Sequence, residues 1–160
     1  MRKIRFINAE ERYIKSFWTA FDNIASEKKY LGTARAFPLD ITTKYLRRSI
    51  EKKVPYIFAV RENKVIGWCD LQPKDNSTGS LGIALIKEYR NLGIGTVMIH
   101  KVFEKGRKYG FKKVFLEVRK SNKVALEFYE KLGFIKINVI EEGVKIGNIR
   151  DDVIQMEKEL

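Results

Sequence analysis

Cysteine and histidine are nearly missing from this chain. The single cysteine, Cys69, has no partner for an internal disulfide. With one histidine, His100, it is also too little for a structural zinc site. No stretch approaches the ~20 continuous apolar residues of a membrane span. The basic start is not followed by an apolar run and small residues, so no secretory signal is expected there. These absences fit a reducing, cytoplasmic setting. Acidic residues are outnumbered, 20 against 32 Lys and Arg, for a formal net charge of +12. Such a balance favours a polyanionic partner: nucleic acid, an acidic membrane surface or a phosphorylated cofactor. A solvated, lysine-rich surface is the plain alternative. Apolar residues at 44% are enough to build a core and exclude disorder. A length of 160 residues suggests one domain.

Periodicity gives the order of elements. Residues 2 to 7 alternate, with Ile4 and Phe6 on one face, as in a strand. Asn8 and Glu11 have the spacing of a capping box, and apolar residues then recur at helical steps over about 9 to 28, including Phe17, Trp18 and Phe21. Gly32 and Pro38 mark a loop over 31 to 38, and a shorter helix follows over about 41 to 52. Runs at 56 to 61 and 64 to 72 flank Glu62-Asn63 and read as a hairpin. A further strand spans 80 to 86. A helix over about 93 to 109 buries Ile94, Val97, Met98, Val102 and Phe103, with His100 outward. Strand 113 to 118, helix 122 to 132 stopped by Gly133, and strands 134 to 140 and 152 to 159 complete the chain. The expected architecture is α/β: one mixed, mostly antiparallel sheet with helices on both faces.

The most informative segment runs from Leu81 through Arg90-Asn91-Leu92-Gly93-Ile94-Gly95-Thr96. A strand enters a glycine-containing turn that opens a helix. Helix starts leave N–H groups unpaired and carry partial positive charge, which makes this turn an anion cradle. A Walker A loop needs Gly-Lys-Ser/Thr, but Thr96 and Val97 follow Gly95. A dinucleotide fingerprint needs a small third residue, but Met98 stands there. The remaining pattern, Arg-x-x-Gly-x-Gly, is by itself also compatible with a simple tight turn.

A second constellation, Leu116-Glu117-Val118-Arg119-Lys120-Ser121-Asn122 followed by Tyr129, lies downstream. Together the two closely resemble the GCN5-related N-acetyltransferase (GNAT) superfamily over about residues 55 to 159. The resemblance implies the family's acetyl-CoA-binding fold. Backbone groups of Ile83, Ala84 and Leu85 would pair with the pantetheine arm, where a bulge splays the strand from its neighbour. The amides from Arg90 through Asn91, Leu92, Gly93, Ile94 and Gly95, with Thr96, would hold the pyrophosphate. Asn122 would hydrogen-bond the cofactor, and Tyr129 would lie near the thioester sulfur. Residues 1 to 53 match only in general plan and would shape the acceptor site. The family's frequent dimers leave a homodimer open.

The chemistry follows from the groups involved. An attacking amine must be neutral, and an alkylammonium has a pKa of ~10.4, so a base is needed. A backbone N–H on the third internal strand could face the oxyanion. A phenol at ~10 can protonate a thiolate near ~8.5 when water is excluded. Tyr129 is therefore the candidate acid, although core packing alone would also explain it. Glu117 is the first candidate base, because bacterial ribosomal N-terminal acetyltransferases of this family use a Glu in a similar Leu-Glu-Val-Arg segment; a surface ion pair is its plain alternative. Asp70 is the second. Tyr30, Arg35, Phe37, Trp68 and Asp70 are candidate acceptor-site residues, and no metal is called for. The expected activity is direct acetyl transfer from acetyl-CoA to a primary amine of a metabolite or protein. A basic nucleic-acid-binding module and an acetyl-CoA-binding regulator without turnover are the alternatives.

Overall fold

The computed structural model describes residues 3–160. Among them, seven strands form one sheet, in the order β1-β2-β3-β4-β5-β7-β6. The strands are β1 (Arg5–Asn8), β2 (Tyr56–Arg61), β3 (Lys64–Pro73), β4 (Thr78–Leu85), β5 (Lys113–Arg119), β6 (Ile135–Ile146) and β7 (Ile149–Glu159). The helices are α1 (Ile14–Ser26), α2 (Leu39–Glu51), α3 (Ile94–Tyr109) and α4 (Lys123–Lys131). All neighbours pair antiparallel except β4 and β5. Arg2, read as the first strand residue, lies outside the described residues.

Alternation along β2 divides two cores. Ile57 and Ala59 face α3 and α4, with Met98, Val102 and Leu116. Tyr56, Phe58 and Val60 face α1 and α2, with Phe17, Ile24, Leu46 and Trp68. Both faces of the strand are covered, so it is apolar throughout. Glu62 and Asn63 both have positive φ, 51° and 59°, as a tight hairpin turn requires.

Some elements differ from the sequence expectation. No capping-box bond forms. A short 3-10 turn over Glu11–Tyr13 precedes α1 without a side-chain cap, and Glu11 instead binds Arg47. Val97 is exposed, while its neighbours Met98 and Ile99 are fully buried. β6 continues to Ile146, past an irregularity between Ile140 and Val144 that hides the alternation marking a strand.

The feature that positions the site lies between β4 and β5. Their parallel pairing covers only Thr78↔Lys113, Gly79↔Val114 and Ser80↔Phe115. Beyond Ser80 the two strands diverge. β4 keeps an unbroken register with β3 from Gly79 to Leu85, so the expected bulge is not what splays it. Ile86 donates to Ile66 across that pair. Antiparallel alternation then turns the backbone groups of Ala84 toward β3 and those of Ile83 and Leu85 toward the opening.

Candidate active site

Two cavities meet at Ile83. The first is a cleft of about 750 Å³ running from the α3 N-terminus through the β4–β5 split to α4. The second, about 570 Å³, lies under α1 and α2 against β2, β3 and β4.

At the head of the cleft, Asn91 and Gly93 take left-handed φ values of 61° and 79° and turn the chain into α3. No side chain caps the helix, and Val97 is the first residue whose N–H reaches back, to the Gly93 carbonyl. The amides of Ile94, Gly95 and Thr96 are thus free of helix partners, and Gly95 and Thr96 line the cleft. A side chain on Gly93 would meet nothing within 4 Å, so the turn is open toward solvent. Leu92 projects outward and is 66% exposed, while Ile94 is buried in the core. Neither of those two lines the cleft.

The Arg90 side chain is not a free cation. Its guanidinium makes paired bonds to Glu27, at 2.9 and 2.6 Å, and Nε donates to the Leu85 carbonyl at 2.9 Å. It also covers the Tyr30 ring. The Arg90 bond holds the Glu27 carboxyl below the usual range. Across the split, buried Arg119 binds Asp151 at 2.9 Å and the Lys28 carbonyl at 2.9 Å. The cleft walls include Lys28, Lys29, Arg90, Arg119 and Lys123 and no acidic residue. Lys28, Lys29 and Lys123 were not singled out from the sequence, where they look like solvated surface.

Asn122 caps α4, its Oδ1 accepting from Ala125 N–H at 3.3 Å, and also lines the cleft. Two helical turns on, Tyr129 is buried at 8% exposure and packs edge-on to Phe134. It too lines the cleft, and its hydroxyl has no hydrogen-bond partner among the described residues. Burial holds that hydroxyl neutral by raising its pKa. The hydroxyl is not sealed in the core and is left available to the cleft.

The second cavity is aromatic. Trp68 stacks on Phe21 at 5.3 Å between centroids and meets Phe17 edge-on at 5.1 Å. Asp70 sits in it at 5% exposure. Burial pushes its carboxyl up to about 7, although Gln72 donates to Oδ2 at 2.9 Å. Gly82 makes the room: a Cβ there would stand 2.7 Å from Asp70 Oδ1.

Of the candidate acceptor residues, Phe37, Trp68 and Asp70 line this cavity. Two do not. Tyr30 lies in the cleft under Arg90, and Arg35 turns outward to clasp Asp22 at 2.9 and 3.0 Å. Glu117 is exposed, accepts from Gln155 at 3.3 Å and lines neither cavity. The sequence reading missed Phe17, Phe21, Tyr45 and Tyr56 as cavity walls. Helical periodicity marked the first two as core, and both pack there.

A sheet split beside an uncapped, glycine-turned helix start makes this an α/β fold suited to an extended, anionic ligand. The model of the acetyltransferase (GNAT) family matches residues 18–134, and the chain belongs to that family. Among curated relatives, an N-alpha-acetyltransferase of Sulfurisphaera tokodaii is 39% identical over 61 residues, 38% of this chain and 36% of that protein. The match thus spans little more than a third of that relative. An N-alpha-acetyltransferase of Saccharolobus solfataricus is 27% identical over 138 residues, covering 69% and 83% of the two chains. A Salmonella typhimurium acetyltransferase structure with acetyl-CoA superposes at a TM-score of 0.88 with 11% identity, covering 99% of this chain and 94% of that one. At that identity the likeness concerns the fold.

Proposed function

We propose that this chain transfers an acetyl group from acetyl-CoA to a primary amine, both held at once. The observation that carries the reading is the opening between β4 and β5 next to the unpaired amides of α3. Residues of the cleft fit such a donor. The α3 amides and Lys28, Lys29 and Lys123 suit a diphosphate. Ile83, together with the N–H of Leu85, whose carbonyl is taken by Arg90, offers backbone groups where a pantetheine amide can add as a strand edge, and Ala84 does not. The bound thioester supplies the acetyl group.

The amine would enter from the aromatic cavity. Asp70 is our choice for the base, because it lies inside that cavity and a carboxyl near 7 is half ionised at neutral pH. Glu117, exposed and near its Gln155 partner, is the weaker choice. The Ile83 N–H is suited to face developing negative charge on the carbonyl oxygen. Tyr129 is our choice for the acid, because its hydroxyl has no other partner. The names of the archaeal relatives point toward protein amino groups as acceptors. No described helix is long and apolar enough to cross a membrane. The cytoplasm, where the lone thiol of Cys69 would stay reduced, is our proposed compartment.

The test is thermal stabilisation by acetyl-CoA, followed by an amine screen that reads released thiol. Stabilisation with amine-dependent thiol release is expected. No shift and no release across the screen would refute the reading.

A further inference from the structure

We infer that the acceptor cavity selects primary amines carried on an apolar, preferably aromatic, body and rejects amines that bear a free carboxylate. This rests on the acetyl-transfer reading above and adds the chemical class of the acceptor.

The inference comes from the ionic inventory of the cavity. None of its lining residues is Lys, Arg or His, and Asp70 is the only acid. Tyr45 and Tyr56 stay neutral, because burial raises both hydroxyls. An acceptor with a carboxylate beside its amine would therefore bring an anion into a cation-free, apolar space that already holds Asp70. A buried charge without a partner is strongly disfavoured. The protein has cations nearby but directs them elsewhere. Arg35, on the wall-forming loop, is tied outside to Asp22, and Lys28 and Lys29 face the donor cleft. Exclusion by a missing counter-charge is as effective a selector as an attractive contact. An ammonium, in contrast, finds Asp70. A second ammonium on the same molecule finds no second acid.

The walls favour a ring. Phe21 and Trp68 are stacked, and Phe37 leans on Phe21 at 6.3 Å while remaining 54% exposed. Tyr45 and Ile41, from one face of α2, are 47% and 49% exposed at the same cavity. Large apolar side chains half-open to a cavity gain most from a planar apolar guest.

Two sources carry this chemistry: a free arylalkylamine, and the amino end of a peptide beginning with a large apolar residue, whose carboxylate is masked as an amide. The experiment compares phenethylamine, phenylalaninamide, the peptide amide Phe-Gly-Gly-NH2, phenylalanine and glycinamide with the intact chain. It reads kcat/KM per neutral amine, and calorimetric binding to the CoA-saturated chain. The three aromatic amines without a carboxylate are expected to exceed phenylalanine and glycinamide at least about tenfold in both readouts. The peptide exceeding phenethylamine supports the chain-end source, and the reverse supports the free amine. Phenylalanine matching its amide overturns the proposal, as does glycinamide matching phenylalaninamide. Selective binding without any acetyl transfer removes the proposed reaction and leaves the cavity's selectivity intact.

Discussion

Asp70→Asn separates the burial of this carboxyl from its chemistry. The folded carboxyl titrates near 7 because it is desolvated, whereas an unfolded Asp titrates near ~3.9. Between those values the native state holds a proton that the unfolded chain has released. Stability therefore falls as pH rises through the window, by ~1.36 kcal/mol per pH unit. The total loss above pH 7 has a ceiling of ~4 kcal/mol. Asparagine keeps the shape beside Gly82 and the acceptor for Gln72, but does not titrate. The stability of the variant relative to the native chain should thus grow by about 2–3 kcal/mol between pH 5 and pH 8. Urea unfolding at several pH values reads this directly, as midpoints with an unchanged slope. A difference that stays constant with pH would refute the burial argument. The same variant should lose roughly 10²–10⁴-fold in turnover if Asp70 is the base, and with it the limb of the pH profile rising through 7. Full turnover in the variant would remove that role.

Four further substitutions test separate parts of the site. Tyr129→Phe should lower kcat by roughly 10²-fold or more with little change in acetyl-CoA KM, and melt near the native temperature, because no hydrogen bond is lost. Glu117→Gln should change kcat less than about tenfold, since that carboxylate is exposed; a Tyr129-sized loss would restore it as the base. Gly93→Ala should destabilise by about 1–2 kcal/mol in a urea titration, from its left-handed backbone alone. Arg119→Ala should cost about 3 kcal/mol in the same titration, by leaving Asp151 with Ser121 as a neutral partner but no counter-charge, and should speed amide exchange around Lys28 and Leu31, whose carbonyls it binds.

What could be read in the sequence was local. The turn from Arg90 to Thr96 and the seven-residue step from Asn122 to Tyr129 are each set by a few consecutive residues, and both segments line the cleft. The acceptor cavity was not readable, because Phe17, Tyr56 and Gly82 meet only through the sheet. Phe17 and Trp68 belong to the core and to the cavity wall together, and periodicity reports only the first. Alternation in Trp68-Cys69-Asp70 does not tell a buried carboxylate from an exposed one, since both faces of β3 are covered. The Leu-Glu-Val-Arg segment pointed to Glu117, but the outcome depends on cover, and on that face of β5 Glu117 remains exposed. Arg35 was misplaced for a similar reason: its partner Asp22 is on the preceding helix.

Three of the lysines behind the positive charge lie in the cleft. The segment from Glu27 to Leu31 roofs the place where β4 and β5 part, and two arginines fasten it. Arg90, just after β4, holds Glu27, and Arg119, at the end of β5, holds the carbonyl of Lys28. The strands that separate thus carry the clamps that close the roof above them. Both arginines have carboxylate partners, Glu27 and Asp151, so their charge is largely neutralised in place. Lys28, Lys29 and Lys123 are not clamped in this way and line a cleft without acidic residues, as the proposed diphosphate contact requires. The same roof contributes Leu31 to the acceptor cavity. In the proposed site, this one short segment gives two lysines to the donor cleft and only an apolar side chain to the amine cavity. A donor anion that strayed into the acceptor cavity would find Asp70 and no counter-charge, so the partition also enforces which ligand occupies which side.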